Sequence, residues 1–228
     1  TELIRGKLVK RYRRFLVDVQ LENGEIVTAH CPNSGTMVGC CEEGRPVLLS
    51  GTDDEHRRNK YTWEFIKMNN TWVGVNVSVP RKVVVEALTR KTLPLLSSYG
   101  DITLDASYGR GNKVDIMMHG AEQNAFINVY HVAWTEDGIA RFPETPNARA
   151  RKGIRELMEI ARQGHHALAF FFVQRSDCTR FAPAAMVDPE FGRLFREAAS
   201  AGVEMTAYRA AISKNEISLE RRIPVAMD

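Results

Sequence analysis

Cysteine is scarce in this chain of 228 residues, with four in all, Cys31, Cys40, Cys41 and Cys178. None forms a C-x-x-C pair and none has zinc-ligand spacing. Adjacent Cys40 and Cys41 do not readily share one tetrahedral site, so free structural thiols are expected. Long apolar runs are missing too. No stretch approaches the ~20 residues that a membrane span needs, and the first residues carry no extended apolar segment. Internal repeats, low-complexity tracts and coiled-coil heptads are absent. A large charge excess is also lacking: 31 basic residues stand against 28 acidic ones, a net charge of +3. That balance permits nucleic-acid binding without requiring it. What remains is a chain that is 44% hydrophobic and 26% charged, values suited to a buried core. The expectation is a soluble cytoplasmic protein with reduced thiols and no membrane partner.

The first ~75 residues read as short strands joined by turns. Apolar and basic residues alternate from Leu8 to Leu21, and Glu22-Asn23-Gly24-Glu25 supplies an Asn-Gly hairpin. Ile26–Cys31, Pro46–Ser50, Tyr61–Met68 and Thr71–Val77 are further strand candidates. Five short strands in this length suggest a small barrel of the oligonucleotide-binding (OB) kind. Ser78 is expected to cap a helix running to about Lys91, with Pro80 in its first turn. Strands at 102–108, 112–119 and 124–134 then precede a helix from about Asn147 to Gln163. The run Ala167–Val173 is apolar throughout, as a central strand should be. Asp188-Pro189 opens another helix ending near Gly202, before a strand from Val203 to Tyr208. Strands alternating with helices imply an α/β layer structure.

The candidate nucleic-acid contacts are basic. Arg5, Lys7, Lys10, Arg11, Arg13 and Arg14 crowd the beginning of the chain, with Arg57, Arg58 and Lys60 in a later loop. Such a run is either a charged edge strand protected from aggregation or a set of phosphate contacts. Tyr12, Trp63 and Trp72 are the aromatics that stacking on bases would use, against the simpler use of filling the barrel. In His30-Cys31 the two side chains of a strand point to opposite faces, so a nucleophile–base pair is disfavoured. A turn shaped by Pro32, Asn33 and Gly35 is expected instead.

The most informative stretch is Asn124–Trp134, read with Asp115 on the preceding run Val114–Met118. An acidic residue followed across a hairpin by Glu-x-Lys is the arrangement of metal-dependent PD-(D/E)xK nucleases. Residues i and i+2 share a strand face, so both would meet the metal and phosphate. Asn128 and Tyr130 stand at those two positions. A phenol with a pKa of ~10 does not replace a cationic Lys at neutral pH. The chain resembles the sugar fermentation stimulation protein A family over nearly its whole length. Arg11–Val19 is similar to that family's R-Y-K-R-F-L-A-D-V, and His30–Met37 to its H-C-P-N-T-G-x-M. Tyr108-Gly109, Val114-Asp115, Phe142-Pro143, Arg149 with Lys152, and Val173-Gln174-Arg175 follow in the family's order. The departures are Asn128 and Tyr130 where the family has Glu and Lys, and Glu144, Asn147, Ala150, Gly153 and Ile154 in its following motif.

The resemblance implies an α+β chain: an OB-like barrel over 1–78 that binds DNA, then a PD-(D/E)xK nuclease-like α/β domain over 79–228. It favours phosphate contact by Arg11, Arg13 and Arg14, with Asn33 in the groove-lining turn, on non-specific double-stranded DNA. It also marks Asp105 and Asp115 as the remaining ligands for Mg2+ or Mn2+, a weakened set because such ions use two or more carboxylates. Three functions stay open: a DNA-binding protein with an inactive or remodelled nuclease centre, a small-molecule enzyme or binder, and a weak metal-dependent nuclease. For the second, Phe126, Asn128, Tyr130 and Trp134 share one strand face and would line a partly apolar pocket for an aromatic molecule. Asp115 or Glu144 would then be its base and Lys152 its cation. Natural decay of a nuclease and deliberate redesign of its pocket would both give this pattern.

Overall fold

A computed structural model describes residues 3–109, 112–213 and 216–227. The N-terminal half is built from β1 (Leu3–Tyr12), β2 (Leu16–Leu21), β3 (Ile26–His30), β4 (Pro46–Gly51), β5 (Tyr61–Met68) and β6 (Thr71–Gly74). They follow the order β3-β2-β1-β4-β5-β6, and β3 also pairs with β5. That last pairing closes the first five strands into an OB-like barrel. Alternation explains the interior: Leu8, Val17, Val19, Val27, Ala29, Val47, Leu49, Trp63 and Ile66 point inward and are buried. Arg13 and Arg14 do not continue β1. They form its turn into β2 in left-handed backbone, with φ of 49° and 63°. Trp63, a candidate stacking residue, is wholly buried and donates its indole N–H to the Phe65 carbonyl.

The C-terminal half carries α1 (Val79–Thr89), β7 (Ile102–Tyr108), β8 (Asn112–Met118), β9 (Ala125–Val132), β10 (Thr135–Glu136) and β11 (Ile139–Phe142). It continues with α2 (Ala148–Arg162), β12 (His166–Val173), β13 (Arg180–Pro183), α3 (Pro189–Ser200), β14 (Glu204–Ile212) and β15 (Ile217–Ile223). Its main sheet runs β15-β14-β12-β9-β8-β7. β12 lies parallel to both β9 and β14, and its apolar residues Ala167–Val173 are buried on both faces. One face packs under α1 through Ile127, Leu168, Phe170 and Phe172. The other packs under α2 and α3 through Phe126, Ala169, Phe171 and Val173. The chain is thus a barrel followed by an α/β domain, the expected fold class.

Six elements differ from expectation. Ser78 is already helical, at φ −85° and ψ −17°, and its hydroxyl donates to Asn76 Oδ1 at 2.7 Å rather than capping α1. β9 stops at Val132, so Trp134 lies beyond it in the turn towards β10. The short strands β10, β11 and β13 form a small sheet of their own, and β15 adds an edge to the main sheet. β10, β11 and β13, of two to four residues, carry too little periodicity to be seen in advance.

The two halves are joined by specific bonds. Gly74 of β6 donates its N–H to the Gln174 carbonyl at 2.8 Å, and the Gln174 amide reaches the Asn76 carbonyl at 3.1 Å. A Cβ on Gly74 would stand 2.7 Å from Gln174 Oε1, so glycine permits the close approach. Thr71 and Ser176 hydroxyls lie 2.8 Å apart, and Glu144 Oε1 accepts from the Met37 N–H at 3.2 Å.

Candidate nucleic-acid interface

A cleft of about 1370 Å³ opens along this junction. Its floor is the parting of β8 and β9. Their register runs Met118↔Ala125, Met117↔Phe126 and Ile116↔Ile127 and then ends. At the next position side chains take over from the backbone ladder. The Val129 N–H donates to Asp115 Oδ2 at 2.8 Å, and the Asp115 N–H donates to Asn128 Oδ1 at 3.2 Å. The Asn128 amide reaches the Gly153 carbonyl of α2 at 3.4 Å. Backbone donors freed where the strands part are therefore satisfied locally. Both residues that resemblance marks as catalytic are holding the strands in place.

Tyr130 follows on the same face at the cleft wall, with its ring spent on packing. Its ring stacks on Phe171 at 5.0 Å and leans on Phe142 at 5.5 Å. Its buried hydroxyl lies beside the Asn128 amide without forming a hydrogen bond of good geometry, and burial, with the nearby Asp115 charge, pushes the phenol pKa further up. It stays neutral. Phe126, expected in the pocket, is 3% exposed and packs edge-on against Tyr108 at 5.2 Å. The Asn128 and Tyr130 end of β9 reaches the cleft, whereas Tyr108 and His165 cover the Phe126 end. Of the four residues proposed as one pocket wall, Trp134 is the aromatic left at the cleft with no ring stacked on it among the described residues.

Asp105 is committed as well. Arg81 of α1 forks onto it, Nη1 to Oδ1 at 2.9 Å and Nη2 to Oδ2 at 2.8 Å. These bonds hold the Asp105 carboxyl below its ordinary range. Glu144 accepts from the barrel loop, and burial raises its pKa, so it ties the halves together rather than serving as a free base. Lys152 is exposed, with Glu156 at 3.4 Å. Among the described residues no group of three or more His, Cys, Asp or Glu could hold a metal ion. One carboxylate with a backbone bond, one with an arginine fork and one neutral amide do not fit Mg2+ or Mn2+.

The barrel residues carry structural contacts as well. Arg11 donates from Nη2 to the carbonyls of Asn33 at 2.7 Å, Gly35 at 2.8 Å and Arg14 at 3.0 Å. It braces the loop after β3 through Nη2, and its Nη1 and Nε groups make no hydrogen bond among the described residues. Asn33 is buried, its Oδ1 accepting from the Gly35 N–H at 2.8 Å in an Asx turn. Arg13 and Arg14 are exposed beside that loop. Tyr12 donates to Asp18 at 3.0 Å.

Sequence reasoning missed the other cations. Lys82 of α1, Lys113 of β8 and Arg149 of α2 line the cleft with Lys152, and all four are exposed. Among the described residues the first three have no ion pair. Lys82, Lys113 and Arg149 lie 31 to 67 residues apart in pairs along the chain, and only the fold brings them round one opening, so no local charge run announces the three together. Among the described residues no helix is long and apolar enough to cross a membrane.

Comparison with known proteins follows the same division. A family model described as "Sugar fermentation stimulation protein RE domain" matches residues 78–216, and one described as "SfsA N-terminal OB domain" matches residues 9–75. A sugar fermentation stimulation protein homolog of Geotalea daltonii is 45% identical over 225 residues, 99% of this chain and 97% of that protein. Its counterpart in Citrifermentans bemidjiense is 44% identical with the same coverage. The solved structure of Pyrococcus furiosus SfsA in complex with Ca2+ superposes with a TM-score of 0.90, covering 99% of this chain and 96% of that one. At 21% identity, that likeness speaks to the fold.

Proposed function

The chain belongs to the sugar fermentation stimulation protein family, and from that membership we propose that it is a cytoplasmic DNA-binding protein that holds duplex DNA in its cleft without cutting it. The observation that carries this reading is the exposed set Lys82, Lys113, Arg149 and Lys152 around one opening, with Arg13 and Arg14 beside the barrel loop that enters it. Cations spread over both halves suit a charged backbone, which any sequence supplies. The barrel, over 1–78, contributes one wall, and the α/β domain, over 79–228, contributes the floor. The second is read as a PD-(D/E)xK nuclease-like domain.

The absence of cleavage follows from the floor. Phosphodiester hydrolysis of this class needs a metal to activate water and a cation to meet the developing charge. Ca2+ accompanies the Pyrococcus furiosus relative. Here the donor set does not fit such an ion, and Tyr130 offers a neutral phenol where the resemblance expects Lys. The small-molecule reading is weaker, because Phe126 and Tyr130 spend their rings on the core.

Fluorescence anisotropy with a labelled duplex tests binding, and a supercoiled plasmid with Mg2+ or Mn2+ tests cleavage. Binding at low salt with no nicking above background is expected. No binding at low salt, or nicking abolished by Asp115→Ala, would overturn the reading.

A further inference from the structure

Arg81 enters the cleft from the first turn of α1, and neither the barrel core nor the α/β core uses it. Its side chain is 30% exposed. Its partner Asp105 sits in left-handed backbone at φ 51°, a strained state for a residue with a Cβ. Asp105 also faces Asp115 across the β7–β8 pair, between Leu104↔Ile116 and Ala106↔Val114. Asp115 turns its Oδ2 to the Val129 N–H on the far side of β8, and both carboxylates line the same cleft as Arg81, whose charge lies within reach of each.

We propose that the Arg81 guanidinium is a built-in replacement for a divalent cation: it neutralises the Asp105–Asp115 pair, excludes a metal ion from it, and offers its remaining N–H groups to a phosphate diester. The donor count permits this. A guanidinium has five N–H groups, and the fork to Asp105 uses one from each Nη, leaving three. Arginine is suited to the task because its planar fork matches carboxylate and phosphate alike. The charge of Asp115 also raises the Arg81 pKa, after the larger effect of Asp105, which agrees with one cation serving both. The phosphate as ligand rests on the DNA-binding reading. The exclusion of metal does not.

Terbium titration of the full chain separates the two, since Trp134 lines the same cleft and sensitises lanthanide luminescence at short range. The wild type should give no saturable signal in the low-millimolar range where weak cation sites still fill. Arg81→Gln should bind at least about tenfold more tightly, because a fixed positive charge a few ångströms away has gone. The gain should vanish in Arg81→Gln/Asp115→Asn and should not appear in Arg81→Lys, which keeps the charge. Arg81→Met repeats the test should the Gln variant melt early. Saturable wild-type binding that Asp115→Asn removes, or no gain in a folded neutral variant, overturns the proposal. In a second arm, wild-type affinity for a duplex should be the same within twofold in EDTA and in Mg2+. Loss of DNA binding altogether would count against the DNA reading and leave the terbium result to decide on Arg81.

Discussion

Tyr130→Phe removes a single oxygen, and the structure predicts that the protein becomes more stable. The hydroxyl is buried and forms no hydrogen bond of good geometry, the Asn128 amide being its polar neighbour, while the ring is held by Phe171 at 5.0 Å and Phe142 at 5.5 Å. A polar group taken from water without a partner costs about 1–3 kcal/mol. Deleting one atom forfeits a few tenths of a kcal/mol of dispersion, at about 0.1–0.2 kcal/mol per contact. Since Phe keeps the ring and its packing, the net expectation is a stabilisation of about 1–2 kcal/mol. At about 2–4 °C per kcal/mol for a chain of this size, the midpoint should rise by about 2–8 °C. Urea unfolding and calorimetry on both proteins measure it, with an unchanged m-value showing that stability alone has moved. A loss of about 1 kcal/mol or more would mean that the hydroxyl is bonded, and the account of Tyr130 as a filler would be wrong. Tyr130→Lys should do the reverse and destabilise, because it places an ammonium against two phenyl rings.

Three other perturbations bear on the same architecture. Arg11→Ala should cost about 2–3 kcal/mol in urea unfolding, since charge-assisted bonds to two loop carbonyls are lost, and it should leave the salt dependence of DNA binding unchanged. Gly35→Ala would put a Cβ 2.1 Å from Glu144 Oε1 and must break the Glu144–Met37 tie, so protease cleavage in the 32–37 loop should accelerate; an unchanged rate would contradict the clamp. His131 is packed at β6 with Nε2 donating to the Gly74 carbonyl at 3.1 Å, and burial lowers its pKa to about 4. Its folded pKa lies below the unfolded one, so its contribution is complete above pH ~6.5 and is lost as pH falls towards 4, by up to about 3 kcal/mol. His131→Asn should flatten that part of the stability–pH curve.

Much of the fold is legible because periodicity follows burial. The inward alternation of the barrel strands, the uniformly apolar Ala167–Val173, and the helix starts at Asn147 and Asp188 are each local, and each appears where expected; both starting residues also cap, their side chains accepting from Ala150 N–H and Phe191 N–H. The site is less legible, because its properties depend on contacts distant in sequence. Alternation correctly puts Phe126, Asn128 and Tyr130 on one face, but it does not say that Tyr108 and His165 cover one end of it. A run of arginines does not disclose that Arg11 braces loop carbonyls through Nη2. Nor does any local pattern foretell that Arg81 and Asp105, 24 residues apart, form a fork beside Asp115.

The most direct test of the central claim is the salt dependence of duplex affinity for the wild type and for Lys82→Ala/Lys113→Ala/Arg149→Ala/Lys152→Ala. Each phosphate contact contributes about 0.9 to the slope of log affinity against log salt. The four-fold variant should therefore lose about three to four units of slope, with an unchanged melting temperature. A variant with the wild-type slope and affinity would show that DNA does not lie in this cleft.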